Sequence, residues 1–523
     1  GWVGGRVRWI ILRGRRVRLT MNALRLRRRD LILGAAAISG CRHGGGGLPE
    51  VVEKSIEELR GMPARALCEA YLKRIEEIDR SGPQLNSVIE VNADARRIAA
   101  EIDAGQHGRG VLRGVAILVK DNIDTADGMK TTAGSLALLN APRPKRDAPI
   151  VARLREAGAL ILGKTNLSEW ANIRSPRWTS GWSGRGGQTK NPYALDRNTS
   201  GSSSGSGAAA AASLCAVAIG TETDGSIVSP ASICGLVGIK PTVGLLSGEG
   251  IIPISHTQDT AGPMARTVRD AALVLGVMAG RNYMSGCRDA NGLAGKRIGV
   301  CRQMYQSNPD VTRIAEQAVA AMREAGADIV DPVEFPKFSQ FGEAELEVMM
   351  FELKADLNAY LAGRGDEKIR TLADVIAFNE ANAEREMKYF GQETLIKAQA
   401  KGGLDTPAYQ EALAKCRRLT REEGIDGVMA KHKLDALFAP TDSPAWPTDW
   451  VNGDHFTGGS SSLPAVAGYP HITVPGGFVH GLPVGISLFA GAGSEAALIG
   501  MAYAFEQKTK ARRAPQYLAS VRY

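Results

Sequence analysis

Residues 115–119 form an unbroken apolar run between Gly114 and Lys120, with no polar residue to mark a side that faces solvent. A run of this kind is typical of a strand that is buried on both faces of a sheet. A helical pattern at 150–157 and a second apolar segment at 159–162 follow it. Alternating helices and buried strands predict a protein of the α/β class, with helices on both faces of the sheet.

Two long segments have a helical pattern in which no chemistry is visible. Residues 48–104 have apolar residues at three-to-four spacing, with Ser55 and Glu58 placed as a capping box. Residues 311–430 are charged and mainly helical, which suits a layer that covers the sheet. Three short apolar runs near the C-terminus are expected to complete the sheet, at 436–439, 472–474 and 484–486.

The net charge of +9 is confined to the N-terminal end of the chain. The first 50 residues hold eleven arginines and two acidic residues, whereas the remainder has 53 basic and 53 acidic residues. A neutral body lacks the basic surface that phosphate binding requires, so we expect no nucleic-acid partner. The seven cysteines are widely spaced, and no Cys/His cluster has metal-site spacing. We therefore expect no disulfide and no zinc site.

The basic end resembles an export signal. In residues 21–41, an arginine-rich stretch is followed by mainly small or apolar residues at 31–39, a run too short to span a bilayer. The pair Arg28 and Arg29 resembles a twin-arginine signal. The Ile-Ser-Gly-Cys sequence that ends at Cys41 resembles the lipobox of bacterial lipoproteins, so Cys41 is the predicted lipidation site.

These features predict a location in the bacterial cell envelope or periplasm, with a lipid anchor as the only contact with a membrane. Residues 1–20 are interpreted as an upstream extension, and residues 42–49 as a glycine-rich tether between the anchor and the folded body. The alternative interpretation is a basic disordered tail in front of a buried helix. In that case the protein would be cytoplasmic.

Two literal motif matches are rejected because of their local context. Residues 158–165 satisfy the spelling of a phosphate-binding P-loop, but their middle residues are strand-like where an open polar loop is needed. Residues 201–205 spell Gly-x-Ser-x-Gly, but the segment 195–199 before them is not the strand that a nucleophile elbow requires. A nucleophile-elbow serine would also need a histidine partner. The seven histidines are scattered along the chain, so such a partner is not excluded, but nothing in the sequence supports one.

Three polar segments remain: Leu-Val-Lys-Asp-Asn at 118–122, Gly-Ser-Ser-Ser-Gly-Ser at 201–206, and Thr-Glu-Thr-Asp-Gly-Ser-Ile at 221–227. A serine nucleophile must lose a proton as it attacks, and a lysine amine can take that proton only when it is neutral. Lys120 ends the predicted buried strand, so burial would favour its neutral form. The alternative is a solvated Lys-Asp turn, which is the commoner role of a lysine.

The chain resembles the amidase signature family in these segments, since Ser226 lies 24 residues after Ser202 and Lys120 follows an apolar strand. Further matching segments lie at 163–172, 185–189, 258–266 and 467–470. The resemblance covers residues 50–512. It implies the amidase signature fold, which is a single domain with a large mixed, mostly parallel sheet covered by helices on both faces. Residues 513–523 are left as a C-terminal tail, and a monomer is expected.

The resemblance further implies a Ser-Ser-Lys triad. Ser226 would attack a carboxamide carbon, Ser202 would take its proton and pass one to the leaving ammonia, and Lys120 would be the proton reservoir. Water would then hydrolyse the acyl-enzyme to a carboxylate, and this route requires no metal and no organic cofactor. The chain is thus predicted to be an amidase, a hydrolase of linear amide C–N bonds.

The backbone N–H groups of Thr223, Asp224, Gly225 and Ser226 are the predicted oxyanion hole of such a site. Gly225 would let the backbone turn close to the substrate oxygen. Asp224 has the alternative role of orienting this turn. Ser203 either contributes to the site or only supports its loop as a capping serine.

The second and third segments, with Gly-Trp-Ser at 181–183 upstream, are similar to those of bacterial peptide amidases, a subgroup that removes ammonia from C-terminal peptide amides. The expected partner is therefore a small-molecule or peptide amide. Alternatives are an amidase of other small aliphatic or aryl amides, an amidotransferase A-type subunit, and a non-catalytic binding lipoprotein. Candidates for the pocket walls are Trp178, Trp182 and Trp446, although large aromatic residues more often serve packing.

Overall fold

A computed structural model describes residues 48–108 and 110–523 of the chain. Several predictions fall outside the described residues: the extension 1–20, the signal 21–41 with Cys41, and all but the last two residues of the tether 42–49. Within the described part, no helix has both the length and the apolar character needed to cross a lipid bilayer.

The described residues contain thirteen strands, which are named here in chain order. They are β1 (Val88–Val91), β2 (Ala116–Lys120), β3 (Leu160–Thr165), β4 (Trp182–Ser183), β5 (Gly187–Gln188), β6 (Val217–Glu222), β7 (Val237–Lys240), β8 (Thr260–Ala265), β9 (Arg297–Val300), β10 (Asp328–Val330), β11 (Ala436–Pro440), β12 (His471–Val479) and β13 (Leu482–Phe489). Eleven of them form one sheet in the order β1-β3-β2-β6-β8-β7-β12-β13-β11-β9-β10, and β4 pairs with β5 alone.

The same residues contain sixteen α-helices, named in the same way. They are α1 (Ile56–Leu59), α2 (Ala64–Arg74), α3 (Ala95–Asp103), α4 (Pro149–Glu156), α5 (Ser204–Ala211), α6 (Val228–Ile233), α7 (Val268–Ala279), α8 (Pro309–Glu324), α9 (Gly342–Arg364), α10 (Leu372–Ala381), α11 (Ala383–Glu386), α12 (Glu393–Gln399), α13 (Pro407–Arg417), α14 (Asp426–His432), α15 (Ser462–Ala467) and α16 (Glu495–Thr509). The π-helical segments Ile75–Ser81 and Arg418–Ile425 continue α2 and α13.

The large sheet is mixed and flanked by helices, which confirms the α/β class. Four of its ten pairings are parallel, those of β2 with β3 and β6 and those of β9 with β10 and β11. The other six pairings are antiparallel. The parallel strands are thus confined to two blocks on either side of an antiparallel centre. In that centre a tight turn joins β12 to β13, and so short a connection allows only antiparallel pairing.

Most of the predicted strands are confirmed. The run at 115–119 corresponds to β2, all five residues of which are buried. The segment at 159–162 corresponds to β3, which continues to Thr165. The three C-terminal runs lie in β11, β12 and β13, which pair in the order β12-β13-β11.

One part of the predicted helical segment at 48–104 is wrong. It contains β1, which pairs antiparallel with β3 at the edge of the sheet. Only Val88 of its four residues is buried, so neither a continuous apolar run nor a clear alternation marks the strand in the sequence. The capping box of Ser55 and Glu58 is confirmed at the start of α1.

Neither rejected motif has the conformation that its spelling suggests. Residues 158–165 run through a turn into β3, where Lys164 is buried and donates to Ile123 O at 2.6 Å and to Thr131 Oγ1 at 2.9 Å. Such a lysine is not available to bind phosphate. Residues 195–199 contain no strand.

The expected helical layer is present between α8 and α14, with β10 as its one strand. Within it, α9 packs against α12 and α13. The C-terminal tail at 513–523 lies along residues 192–197, where Leu195 N donates to Leu518 O at 2.8 Å. Residues Leu48–Tyr523 form one compact unit.

Candidate active site

Two neighbouring parallel strands and the helix packed on them bring the predicted triad residues together. β2 ends at Lys120 and pairs with β6, which contains Thr221. Helix α5 packs against both strands and begins at Ser204, earlier than the alanine run that predicted it. The loop before α5, which carries Ser202 and Ser203, therefore ends beside Lys120.

Lys120 is fully buried and surrounded by oxygen atoms. Its Nζ lies within hydrogen-bonding distance of four oxygens: Ser202 Oγ at 2.8 Å, Ser203 Oγ at 3.0 Å, Thr221 Oγ1 at 2.9 Å and Thr221 O at 3.1 Å. Burial lowers the pKa of Lys120 to about 7, although the charges of Asp259 and Glu222 oppose the shift. A substantial fraction of Lys120 is therefore neutral near pH 7, in the form that can accept a proton.

The two adjacent serines have different surroundings. The peptide bond before Ser202 is cis, and Ser202 O accepts from Ser168 N at 3.1 Å. Ser203 N donates to Ser226 O at 3.1 Å, and Ser203 Oγ lies between the N–H and C=O groups of Thr221, at 3.2 and 3.0 Å. Ser203 thus holds the loop against β6, which favours its supporting role.

Ser226 lies on the wall of a cavity and is 7% exposed. Its hydroxyl forms no hydrogen bond within the described residues, so the structure contains the Lys120–Ser202 contact but not a Ser202–Ser226 hydroxyl contact. Catalytic hydrogen bonds are often long in a free enzyme and tighten when substrate binds.

The turn that contains Ser226 has several backbone N–H groups without an acceptor. The N–H groups of Thr223, Asp224, Gly225 and Ser226 have no acceptor within the described residues, and all four residues line the cavity. Gly225 has a φ of 76°, in the left-handed region that favours glycine. A Cβ at this position would lie 2.9 Å from Ser461 Oγ. An oxyanion hole requires such an array of free, fixed donors.

Two carboxylates hold this turn in place through hydrogen bonds: Asp224, which belongs to the turn, and Asp259, which contacts it from outside. Asp224 accepts from the hydroxyls of Ser461 and Ser462, each at 2.6 Å. Asp259 accepts from Thr223 Oγ1 at 2.6 Å, and burial raises the pKa of Asp259 to about 6. With its oxygens occupied by these hydroxyls, Asp224 is placed to orient the turn, which is the alternative role expected for it.

The cavity has a volume of about 480 Å³. Trp178 and Trp446 line it as expected, together with Leu346, Met349 and Met350 of α9. The helical layer therefore supplies one apolar wall, and the loops around the two tryptophans supply another.

The expectation that Trp182 lines the pocket is wrong. Its side chain is 5% exposed and packs edge-on against Tyr389 and Phe390, with ring centroids 5.4 Å apart in both pairs. Trp182 therefore stabilises the packing between its loop and the helical layer.

A sequence model of the Amidase family matches residues 66–499. The chain belongs to the Amidase family. A probable amidase of Arabidopsis thaliana is 39% identical, over 90% of this chain and 92% of that protein. The X-ray structure of native peptide amidase from Stenotrophomonas maltophilia is 49% identical with a TM-score of 0.84, covering 89% of this chain and 99% of that one. The A-type subunit of the glutamyl-tRNA(Gln) amidotransferase of Halorhodospira halophila is 34% identical, over 85% and 94% of the two chains.

Membership of the family confirms two predictions from the sequence. The chain is an amidase, and its sheet and flanking helices match solved amidase structures along most of their length. The roles of individual side chains stay predictions, which the geometry above supports.

Several residues of this amidase site were not assigned from the sequence. Thr221 and Glu222 lie in a segment that was singled out, and their position at the end of β6 was the available signal. The Glu222 carboxylate accepts from the backbone N–H groups of Ile227 and Val228, directly after Ser226. Ser461 and Ser462 lie more than 230 residues from the turn that they contact, and no local pattern marks them. Their role depends on tertiary structure alone.

Among the described residues, one group of side chains has the chemistry and spacing of a metal site: His256, Glu352 and Asp356. Glu352 already accepts from Tyr409 OH at 2.6 Å and from Ser255 Oγ at 2.5 Å. Asp356 lies 2.9 Å from His256 Nδ1. The group does not line the cavity, and these contacts account for it as a hydrogen-bonded network of the protein itself.

Proposed function

We propose that this amidase hydrolyses the C-terminal carboxamide of peptides, giving ammonia and a free carboxylate, through an acyl-enzyme on Ser226. The observation that carries the proposal is the buried Lys120, held 2.8 Å from Ser202 Oγ beside the cavity that Ser226 lines.

Acylation begins when Ser226 Oγ attacks the carbonyl carbon of the amide. Its proton moves to Ser202 as Ser202 passes its own proton to the neutral amine of Lys120. The carbonyl oxygen becomes negatively charged, and the free N–H groups of the 223–226 turn stabilise it. Loss of one such donor typically costs about 3 kcal/mol in the barrier.

The tetrahedral intermediate then collapses and the C–N bond breaks. The proton on Lys120 returns through Ser202 to the nitrogen, which leaves as ammonia, and Ser226 is left as an ester. Water attacks this ester by the same route, giving up a proton to Ser202 and Lys120. That proton returns to Ser226 as the carboxylic acid product is released.

Two observations support peptide amides as the substrate class. The cavity, at about 480 Å³, is of the size that accommodates a drug-sized ligand, and its walls are mainly apolar. The sequence is 49% identical to the peptide amidase of Stenotrophomonas maltophilia over nearly the whole of that chain.

The test is ammonia release by the full chain from a short peptide with a C-terminal amide, with the product peptide weighed by mass spectrometry. We expect one ammonia per peptide, with internal bonds intact, and no release by the Ser226→Ala variant. The matched control is Ser520→Ala, which removes an exposed serine hydroxyl that donates to Asp196. This control should keep wild-type activity.

Other outcomes would redirect the proposal. Release of ammonia from small aliphatic or aryl amides but not from peptide amides would replace the substrate class. Release from glutamine only in the presence of partner subunits would favour the amidotransferase A-type alternative. Activity that persists in Ser226→Ala would overturn the mechanism itself.

A further inference from the structure

Asp442 is a buried carboxyl group near the active site that the mechanism does not use. It lies just after β11, its side chain is fully buried, and no ion pair joins it to a basic side chain of the described residues. Its Oδ1 accepts from Ser443 N at 2.7 Å. Burial of a carboxylate without a cationic partner costs free energy. The groups that hydrogen-bond to Asp442 are therefore of interest.

Two hydroxyls connect Asp442 to the cavity. Ser229 Oγ donates to Asp442 Oδ2 and lies 2.7 Å from Ser200 Oγ. Ser200 and Ser229 both line the cavity with Ser226, and they are 4% and 8% exposed. The Ser200 hydroxyl forms no other hydrogen bond within the described residues. Ser200 is therefore the member of this hydrogen-bonded series that a ligand can contact. We call Ser200, Ser229 and Asp442 the hydroxyl relay.

The charge of Asp442 sets the direction of the hydrogen bonds in the relay. When Asp442 is ionised, Ser229 donates to it and Ser200 donates to Ser229, which leaves Ser200 with only acceptor lone pairs for a ligand. When Asp442 is protonated, every bond can reverse, and Ser200 then presents a donor. The charge of the buried Asp442 therefore decides whether the Ser200 hydroxyl acts as an acceptor or as a donor toward a ligand in the cavity.

We propose that the hydroxyl relay, with Asp442 ionised, binds the N–H group of the scissile carboxamide through Ser200 Oγ. This inference rests on the proposed function. The carbonyl oxygen of the substrate is assigned to the N–H groups of the 223–226 turn, and the amide nitrogen must face Ser202 to receive a proton. Ser200 lies on the same loop as Ser202, separated from it by Gly201 alone.

The relay would distinguish an amide from its hydrolysis product. An ionised product places a carboxylate oxygen where the amide nitrogen was, opposite the acceptor lone pairs of Ser200. Two acceptors that face each other repel, so the orientation that holds the substrate favours release of the product. Ser200 would touch the substrate, whereas Ser229 and Asp442 would act as positioning residues.

The relay should respond to pH through Asp442. Burial raises the pKa of Asp442 to about 7, and the nearby charge of Asp454 acts in the same direction. The largest influences on this pKa include no basic group of the described part. Below about pH 7 the protonated acid reverses the relay, and the advantage of an amide over a substrate without N–H groups should shrink.

The experiment compares kcat/KM for a peptide amide and for the methyl ester of the same peptide, from pH 5 to 9. The ester has no N–H at the scissile bond, so the amide-to-ester ratio isolates the relay from steps that both substrates share. We expect the ratio in the wild type to fall as the pH drops through 7. Ser200→Ala should lower the ratio above pH 7 by about tenfold, as for the loss of one hydrogen bond.

Two positioning variants and a control complete the design. In Asp442→Asn the side-chain oxygen stays on Ser443 N, so its NH₂ group faces Ser229 and fixes the reversed direction. The ratio should then be low at every pH. Ser229→Ala should also lower the ratio and remove its pH dependence. Ser520→Ala, which breaks an exposed Ser–Asp hydrogen bond, should keep the wild-type ratio and its pH dependence.

A wild-type ratio that is constant from pH 5 to 9, or an unchanged ratio in Ser200→Ala, would overturn the proposal. Should Asp442→Asn fail to fold, as judged by thermal unfolding, the two serine variants decide the matter. A wild type that hydrolyses no peptide amide contradicts the proposed function instead. The ratio is then measured with any primary amide that the enzyme does hydrolyse and its methyl ester.

Discussion

Lys120 Nζ lies 2.8 Å from Ser202 Oγ, at the end of a strand in which every residue is buried. Burial lowers the pKa of Lys120 to about 7, so the contact joins a hydroxyl to an amine that is largely neutral above that pH. The strand thus supplies both the position and the protonation state of the base.

The pH dependence of ester hydrolysis should report the charge of Lys120. A lysine with a lowered pKa is protonated, and inactive as a base, below about pH 7 and neutral above it. We expect kcat/KM for a peptide methyl ester to rise about tenfold per pH unit below 7 and to level off above it. An ester is preferred here because it lacks the N–H group assigned to the hydroxyl relay. A constant rate from pH 5 to 9 would contradict the assignment.

Replacing Lys120 with methionine should separate catalysis from stability. Loss of the base should lower kcat by roughly a hundredfold to ten thousandfold. The free energy of unfolding should change little, because removal of a buried amine that is unfavourable to desolvate offsets the loss of its hydrogen bonds to Ser202 and Thr221. Steady-state kinetics and thermal unfolding of Lys120→Met test this. A loss of activity that is matched by a large loss of stability would assign Lys120 a structural role.

The hydrogen bonds that Asp224 accepts from Ser461 and Ser462 should affect kcat, because they fix the 223–226 turn. Asp224→Ala leaves the Ser461 and Ser462 hydroxyls without their acceptor, and the turn is free to shift. We expect kcat to fall by about tenfold to a hundredfold, since small displacements of a catalytic group have effects of this size. Asp224→Asn keeps one acceptor oxygen and should lose less. Equal kcat values for wild type and Asp224→Ala would show that these hydrogen bonds have no catalytic effect.

Two tryptophans should respond in opposite ways to truncation. Trp182→Ala should reduce the free energy of unfolding by about 3 to 5 kcal/mol, because the ring is buried against Tyr389 and Phe390. Trp178→Ala removes part of the cavity wall and should raise KM for peptide amides by roughly tenfold. Denaturant unfolding and KM measured on both variants test the contrast. A raised KM with full stability in Trp182→Ala would contradict the packing role.

Much of the fold could be predicted from local patterns. The buried run at 115–119 gave β2, and Ser55 with Glu58 gave the start of α1. The edge strand β1 was not predicted, because only Val88 of its four residues is buried and no apolar pattern marks it. The antiparallel pairing of the central strands could not be predicted from local patterns either, since pairing depends on contacts between distant segments. The export signal and Cys41 stay predictions, because they lie outside the described residues.

The site divides in the same way. Lys120 could be proposed from its position at the end of an apolar run, but its contact with Ser202 spans 82 residues and was expected only from the family resemblance. The hydroxyl relay had no signal at all, because Ser229 and Asp442 are 213 residues apart. A buried carboxyl group next to a short helix has no distinctive pattern in a single sequence.

The most direct test of the mechanism is to locate the acyl group during turnover. The full chain is mixed with a peptide methyl ester, denatured in acid within the first turnovers, digested, and mapped by mass spectrometry. The acyl-enzyme route predicts a mass increase equal to the peptide acyl group on the fragment that contains Ser226, and no such adduct or turnover in Ser226→Ala. An acyl group on another residue, or continued turnover by Ser226→Ala, would contradict it.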